Sequence, residues 1–353
     1  MTRTSRSAAV TVGRSRPSAA LLSASLLGLL VGLVGCTTQP APQTAPSAAG
    51  TAQGPAPAPS TKPSAPPALP YDVRPLLTPS RKYFGAGMDG APTSMGPVEA
   101  FTAKVGKQPN MLLYFAGWGD GFNGQGVRNA WDIGALPVMS WEPYSPSLAA
   151  IADGATDAYV RKVASDVRAL NLPVAISLAH EMNGFWYPWG TRNASPADFT
   201  RAWQRVHDIF LDVGATNVIW VWSPNVVNSL PEVPLKPFYP GDSYVDWIGV
   251  VGYYETGGER TFATLFGPTR TEVRTFSQKP LLILETGVES GSRKAKDIAD
   301  LFAGVAASSD VVGFNWFNYF RRADWRVDSD PGALAQFRAS AQNDVFGFDV
   351  RKP

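Results

Sequence analysis

The sequence predicts one (β/α)8 TIM barrel, a single α/β catalytic domain spanning residues 71–353, and three observations carry that expectation. Eight short apolar runs recur along the chain, each followed by a helix-like segment. The runs are apolar throughout rather than alternating, as parallel strands covered on both faces should be. The stretch that holds them has the length of one large α/β barrel. An open doubly wound sheet is the competing arrangement. No internal repeat and no second domain is evident.

The runs fall at 82–88, 110–118, 135–143, 172–181, 217–225, 245–254, 280–287 and 311–320. Helical segments lie between them. The stretch 195–214 starts Ser-Pro, sets Phe199, Trp203, Val206 and Phe210 on one face, and stops at Gly214. Residues 157–171 and 292–306 read the same way. Residues 119–124, GDGFNG, match the outline of a dinucleotide fingerprint after a strand. The segment that follows leaves room for only a short helix, so a long loop over a cleft is the better reading.

Ahead of the barrel the composition changes twice. Arg3, Arg6, Arg14 and Arg16 precede an apolar run that ends at Cys36, the one cysteine of the chain. Residues 33–36, LVGC, resemble a bacterial lipobox, which makes 1–35 a lipoprotein signal peptide and Cys36 the acylated residue; a plain secretory signal is the alternative. Residues 36–70 are rich in Ala, Pro and Thr, with Lys62 the lone charge. Such a segment cannot bury enough apolar surface to offset its ordering entropy and reads as an extended stalk. The expectation is a domain anchored to the bacterial cell membrane through lipid on Cys36, facing outward, and monomeric. With a lone cysteine there is no disulfide within the chain.

A net charge of +2, with no basic stripe after the signal peptide, argues against nucleic acid as a partner. The informative excess is aromatic: 11 Trp, 11 Tyr and 18 Phe, with many tryptophans beside Gly, Pro or Asn at strand ends. Each alone reads as core; their clustering reads better as sugar-stacking platforms.

Catalytic groups of such barrels sit at the C-terminal ends of strands. The polar residues there are Trp141 and Glu142, His180 and Glu181, Trp222 and Asn225, Tyr253 and Tyr254, Glu285, and Trp316 with Asn318. A carboxylate closing an apolar strand is costly unless used or paired. Glu181 and Glu285 are both so placed, on strands four and seven, across the barrel mouth from one another. Glycoside hydrolysis needs two such carboxyl groups. Glu142 reads as a supporting residue, and Tyr254 and Trp222 are balanced between core and cleft. No cofactor and no metal is expected: no second histidine follows His180 at helical spacing, and DWRVDSDPG lacks the spacing of a calcium loop.

From about residue 82 to 331 the chain resembles the glycoside hydrolase family 26 catalytic domain, best known for β-mannanases. The carrying motifs are WEP at 141, HEMNG at 180, VWSPN at 221, YPGDSYVDWIGVVGYY at 239, LETG at 284, WFN at 316 and the DWRVDSDP stretch ending at 331. The resemblance implies a retaining, endo-acting β-glycosidase with Glu181 as acid/base and Glu285 as nucleophile. It implies His180 at the sugar beside the cleaved bond, Tyr253 as hydrogen-bond donor to the nucleophile, and Trp316 as the stacking floor. Trp118, Trp141, Asn183, Trp186 and Trp222 join these as expected substrate contacts.

His180 and Glu181 are neighbours, so both can face the sugar only if the strand end is irregular. The apolar and aromatic residues after Glu181 should keep it protonated, while tyrosine donors from strand six favour an ionised Glu285. Where many relatives read Asp-Gly-Tyr-Asn, this chain has Val251, Gly252, Tyr253 and Tyr254, implying a remodelled sixth-strand loop. The substrate is expected to be a β-linked polysaccharide or oligosaccharide, β-1,4-mannan first. The alternatives are β-1,3-1,4-glucan, β-1,3-xylan or a cell-envelope polysaccharide, or a non-catalytic carbohydrate-binding lipoprotein on the same fold.

Overall fold

The computed structural model describes residues 69–353; the expected signal peptide, Cys36 and most of the expected stalk lie outside them. Eight parallel strands close into a barrel in the order β1 to β8, with β1 paired to β8. The elements run α1 (Arg74–Leu77), β1 (Tyr83–Gly87), α2 (Gly96–Val105), β2 (Met111–Gly117), α3 (Gly124–Asp132) and β3 (Leu136–Glu142). Next come α4 (Leu148–Ala152), α5 (Asp157–Leu170), β4 (Val174–Leu178), α6 (Pro196–Val213), β5 (Val218–Trp222) and β6 (Trp247–Val251). The last are α7 (Phe262–Val273), β7 (Leu281–Thr286), α8 (Lys294–Ala307), β8 (Val311–Phe317) and α9 (Pro331–Ala341). Every predicted strand is present, each trimmed by a few residues at one or both ends.

The helices end where the sequence marks them. On α6 the Ser195 side chain accepts the Asp198 N–H at 3.1 Å, Pro196 opens the first turn, and Gly214 closes it at φ 79°. The dinucleotide-like stretch holds no phosphate cradle. Its Asn123 side chain caps the short α3 by accepting the Gly126 N–H, and the Tyr159 hydroxyl of α5 pins the Asp120 carbonyl at 2.9 Å. Instead of overhanging a cleft, the segment is tied down against α5.

Two buried layers follow from strand alternation. Inward-facing Met111, Leu113, Leu136, Val138, Ile219, Val221, Trp247, Leu282 and Val312 fill the barrel. Leu76 of α1 joins this inner layer, where its carbonyl accepts from the Tyr83 hydroxyl. The outward faces pack under the helices, through Phe84, Ile176, Trp222, Phe314 and Trp316.

Two interruptions of the alternation matter for the mouth. Beyond β4 the backbone turns left-handed at Ala179 (φ 50°) and Glu181 (φ 56°), a conformation rare for residues with a Cβ. Between β6 and β7 the register steps from Val250–Ile283 to Val251–Glu285, skipping Leu284. Leu282 and Leu284 both face inward, so strict alternation would point Glu285 at the helices. The irregularity turns it into the mouth instead, the use to which bulges near active sites are put.

Candidate active site

One cavity of about 790 Å³ opens at the C-terminal ends of the strands. Its floor and walls include Phe115 from β2, Glu142 from β3, Glu181 after β4, Asn225 after β5, Tyr253 after β6, and Glu285 from β7. Phe317 of β8 and Trp325 of the following loop complete the aromatic side.

Glu181 is held by two donors. Its Oε2 accepts the Trp186 indole N–H at 2.9 Å, and its Oε1 accepts from the Asn225 side-chain amide. Asn225 is itself braced by Asn183, which donates to the Asn225 carbonyl and accepts its N–H, both at 2.9 Å. Trp186 folds back far enough to reach Glu181 because position 184 is glycine: a Cβ there would sit 2.5 Å from the indole. The crowding after β4 thus has a physical reason: glycine, tryptophan and asparagine together fix one carboxyl group.

Glu285 lies opposite. Its Oε2 accepts the Tyr253 hydroxyl at 2.9 Å, while its Oε1 is buried without a hydrogen bond and stands 3.9 Å from His180 Nε2. His180 is 1% exposed. Its Nε2 lies 3.2 Å from the Tyr187 hydroxyl, and burial pushes its pKa down to about 3, so the ring is neutral. Tyr187 is stacked on Trp189 at 4.3 Å, and the Trp189 indole donates to the His180 carbonyl. The irregular end of β4 brings Glu181 to the cavity, whereas His180, expected to touch the sugar, is buried behind the wall beside Tyr187 and Glu285.

Burial raises the Glu181 carboxyl, with the Asn225 and Trp186 donors working against it. Burial also pushes Glu285 well above the usual carboxylate range, the Glu181 charge adds to this, and the Tyr253 hydroxyl opposes it. The expected ordering, neutral Glu181 beside ionised Glu285, is therefore not what these partners set, because Glu181 has more donors than Glu285. Both carboxyls are biased toward their neutral forms, and the charge of Glu181 raises the proton affinity of Glu285 further. Glu142 is a third acid of the cavity, half-buried and raised to about 7 by desolvation.

The tryptophans divide differently from the sequence expectation. Trp186 and Tyr253 line the cavity. Trp316 does not: it is fully buried, its ring packed on Phe337 of α9 at 5.0 Å, on the outward face of β8. Alternation gives the mouth to its neighbour Phe317. Trp222 is also fully buried, donating to the Phe238 carbonyl at 3.0 Å under the helices. Trp141 and Trp118 stack on each other at 4.4 Å beside Tyr159, outside the cavity walls. Asn183 acts on Asn225 rather than lining the cavity. Tyr254 is core, its hydroxyl donating to Asp300 at 3.1 Å.

In their place the structure supplies Trp325, 4.8 Å from the Tyr253 ring, along with Tyr319, Arg321, Arg322 and Glu255. Trp325 stands inside the DWRVDSDP motif, so its signal was present; Phe317 reaches the cavity only because β8 slips by one residue against β7, which the sequence does not show.

A (β/α)8 barrel with two buried glutamates facing one aromatic-walled cavity, from strands four and seven, has the layout of a glycoside hydrolase. Residues 147–269 match the family described as Glycosyl hydrolase family 26. Endoglucanase H of Acetivibrio thermocellus is 29% identical over 265 residues, 70% of this chain and 29% of its own length. The mannan endo-1,4-beta-mannosidase of Bacillus subtilis strain 168 is 29% identical over 109 residues, 28% of this chain and 29% of that protein. The chain thus spans less than a third of the length of either relative. A modular endo-beta-1,4-mannanase from Cellulomonas fimi shares the fold at a TM-score of 0.63, with 20% identity over 78% of this chain and 74% of that one. Residues 147–269 thus resemble glycoside hydrolase family 26, and the barrel has the fold of the Cellulomonas fimi mannanase.

Proposed function

We propose that the chain is a retaining, endo-acting β-glycanase whose first substrate is β-1,4-mannan. The observation that carries this is the pairing of Glu181 and Glu285 in one cavity, each with its own hydrogen-bond partners. Glu285 Oε1, which has no protein hydrogen bond, attacks the anomeric carbon while Tyr253 holds Oε2. The reacting form is the one with Glu285 ionised and Glu181 protonated, and from it the Glu181 proton passes to the departing glycosidic oxygen. Water then cleaves the glycosyl-enzyme with Glu181 as base, returning its proton there and restoring the β configuration. Trp186, whose indole binds Glu181 while its ring is 42% exposed, offers a stacking face beside the leaving group. Trp325 and Phe317 do so beside Glu285, and His180 stands behind the reacting sugar.

A β-glucan is the second reading. The relative that aligns over most of this chain is named an endoglucanase, whereas the alignment to the Bacillus mannosidase covers 28% of it. Reducing-sugar release from purified mannan, glucomannan, β-1,3-1,4-glucan, β-1,3-xylan and cell-envelope polysaccharide separates the two. Release from mannan alone supports the first, release from glucan the second, and release from none refutes the catalytic reading.

Attachment to the outer face of a bacterial membrane through lipid on Cys36, with the domain acting as a monomer, belongs to the same proposal. It is supported by the lipobox-like sequence and the stalk composition. Cys36→Ser should move the protein from the membrane to the soluble or secreted fraction; unchanged partitioning would refute the anchor.

A further inference from the structure

The acidic stretch after β8 lacks a calcium-loop pattern, yet it wraps a cation of its own. Lys294, the first residue of α8, is 1% exposed. Its ammonium donates to the Arg326 carbonyl at 2.8 Å, to Ser329 Oγ at 2.8 Å and to the Asp324 carbonyl at 3.3 Å. Asp324, Asp328 and Asp330 act on it as nearby negative charges, and Arg326 as a positive one. A buried cation in the first turn of a helix is disfavoured both by desolvation and by the helix dipole. Those costs are offset here by converging oxygens, all from the segment 324–329.

That segment carries Trp325 into the cavity wall. The indole is 3% exposed, packs 4.8 Å from the Tyr253 ring, and lies 3.3 Å from where a Cβ on Gly287 would be. Tyr253 in turn holds Glu285. We propose that Lys294 is a positioning residue, the built-in cation that organises the loop 318–330 and so sets Trp325 against Tyr253 beside Glu285. The effect on turnover rests on the glycanase reading; the effect on the loop does not.

Two readouts on the full-length chain test this. Hydrogen exchange should show the peptide covering 318–330 losing protection in Lys294→Met while the barrel strands keep theirs. Ser329→Ala, which removes one of the three acceptors, should show the same pattern more weakly, and it serves if Lys294→Met does not fold. In activity, a displaced wall residue of this kind costs about 100-fold in kcat/KM, with most of the loss in KM. In a Trp325→Ala background Lys294→Met should cost only about 3-fold more, because the two act on the same contact. Equal losses in both backgrounds, or protection lost evenly across the barrel, would overturn the proposal. If the wild type cleaves no polysaccharide, the glycanase reading falls, and the exchange pattern alone decides the role of Lys294.

Discussion

Glu181 and Glu285 enter the cavity, whereas Trp222 and Trp316 of the neighbouring strand ends are buried away from it. Glu181 and Glu285 reach the mouth only where strand geometry is broken: left-handed residues at 179 and 181 in one case, a skipped residue at Leu284 in the other. Trp222 sits on a regular strand and goes under the helices. Trp316 joins it there because β8 slips by one residue between Val311 and Gly313, so that inward Val312 is followed by outward Phe314 and Trp316. A residue at a strand end is therefore not a cavity residue by position alone. What decides is the local register: Glu142 enters the cavity from an unbroken strand, whereas slips and left-handed turns send Glu181 and Glu285 into it and Trp316 out of it.

Breaking the catalytic side of that comparison should give the largest effect. Glu285→Ala should lower turnover by about 10⁴-fold or more with thermal stability unchanged or raised, since it removes a buried acid that burial already disfavours. Steady-state kinetics beside a melting curve checks both halves. A collapse of stability would make Glu285 a structural residue instead.

The tryptophans should separate next. Trp316→Ala should cost about 3–5 kcal/mol of stability as a core truncation, visible as a large fall in Tm. Trp325→Ala, at 3% exposure, should also lower Tm, but it should in addition lower kcat/KM about 100-fold, measured well below that Tm, through the loss of a positioned wall. If Trp316→Ala folds normally and loses only turnover, the division between the two rings drawn here is wrong.

A smaller effect is expected at the irregular end of β4. Ala179→Val puts a β-branched residue at φ 50° and should destabilise by about 1–3 kcal/mol. It should also shift Glu181, so turnover falls more than stability alone predicts. Equal stability of alanine and valine at 179, by denaturant titration, would argue against strain there.

The smallest effect is electrostatic. Burial raises Glu142 to about 7 from the usual 4.5, so its neutral form is the one the fold prefers. The stability it contributes is full below the ordinary carboxylate range and is lost as pH rises toward 7. Glu142→Gln carries no such loss. Its Tm relative to the wild type should therefore climb between pH 4.5 and 7 and level off above; a constant difference would mean that Glu142 is not desolvated.

Much of the fold was legible because its signals are local. Eight apolar runs, the Ser195–Pro196 start and the Gly214 stop need no long-range information. The carboxyl pair was legible too, since an acid closing an apolar strand is conspicuous. The stacking residues were not. Trp316 and Phe317 are adjacent, and a one-residue difference in register exchanges core for cavity. Strict alternation from the inward Val312 would turn Trp316 inward, and the slip within β8 gives the cavity to Phe317 instead. The register skip at Leu284 and the left-handed turn at Ala179 arise from pairing with neighbouring strands, which no single run announces. The ordering of the two proton affinities also depended on partners brought from afar: Asn225 lies after β5, and it is Asn183 that fixes it.

The roles of the two glutamates can be tested together by the anomeric configuration of the azide product each alanine variant makes from an activated aryl β-glycoside. In Glu285→Ala, azide enters from the face that the nucleophile occupied and should give the α-glycosyl azide. In Glu181→Ala, Glu285 still forms the glycosyl-enzyme, azide then displaces it, and the β-glycosyl azide should appear. The reverse pairing of products, or an α product from both, would contradict the assignment of Glu285 as nucleophile and Glu181 as acid/base.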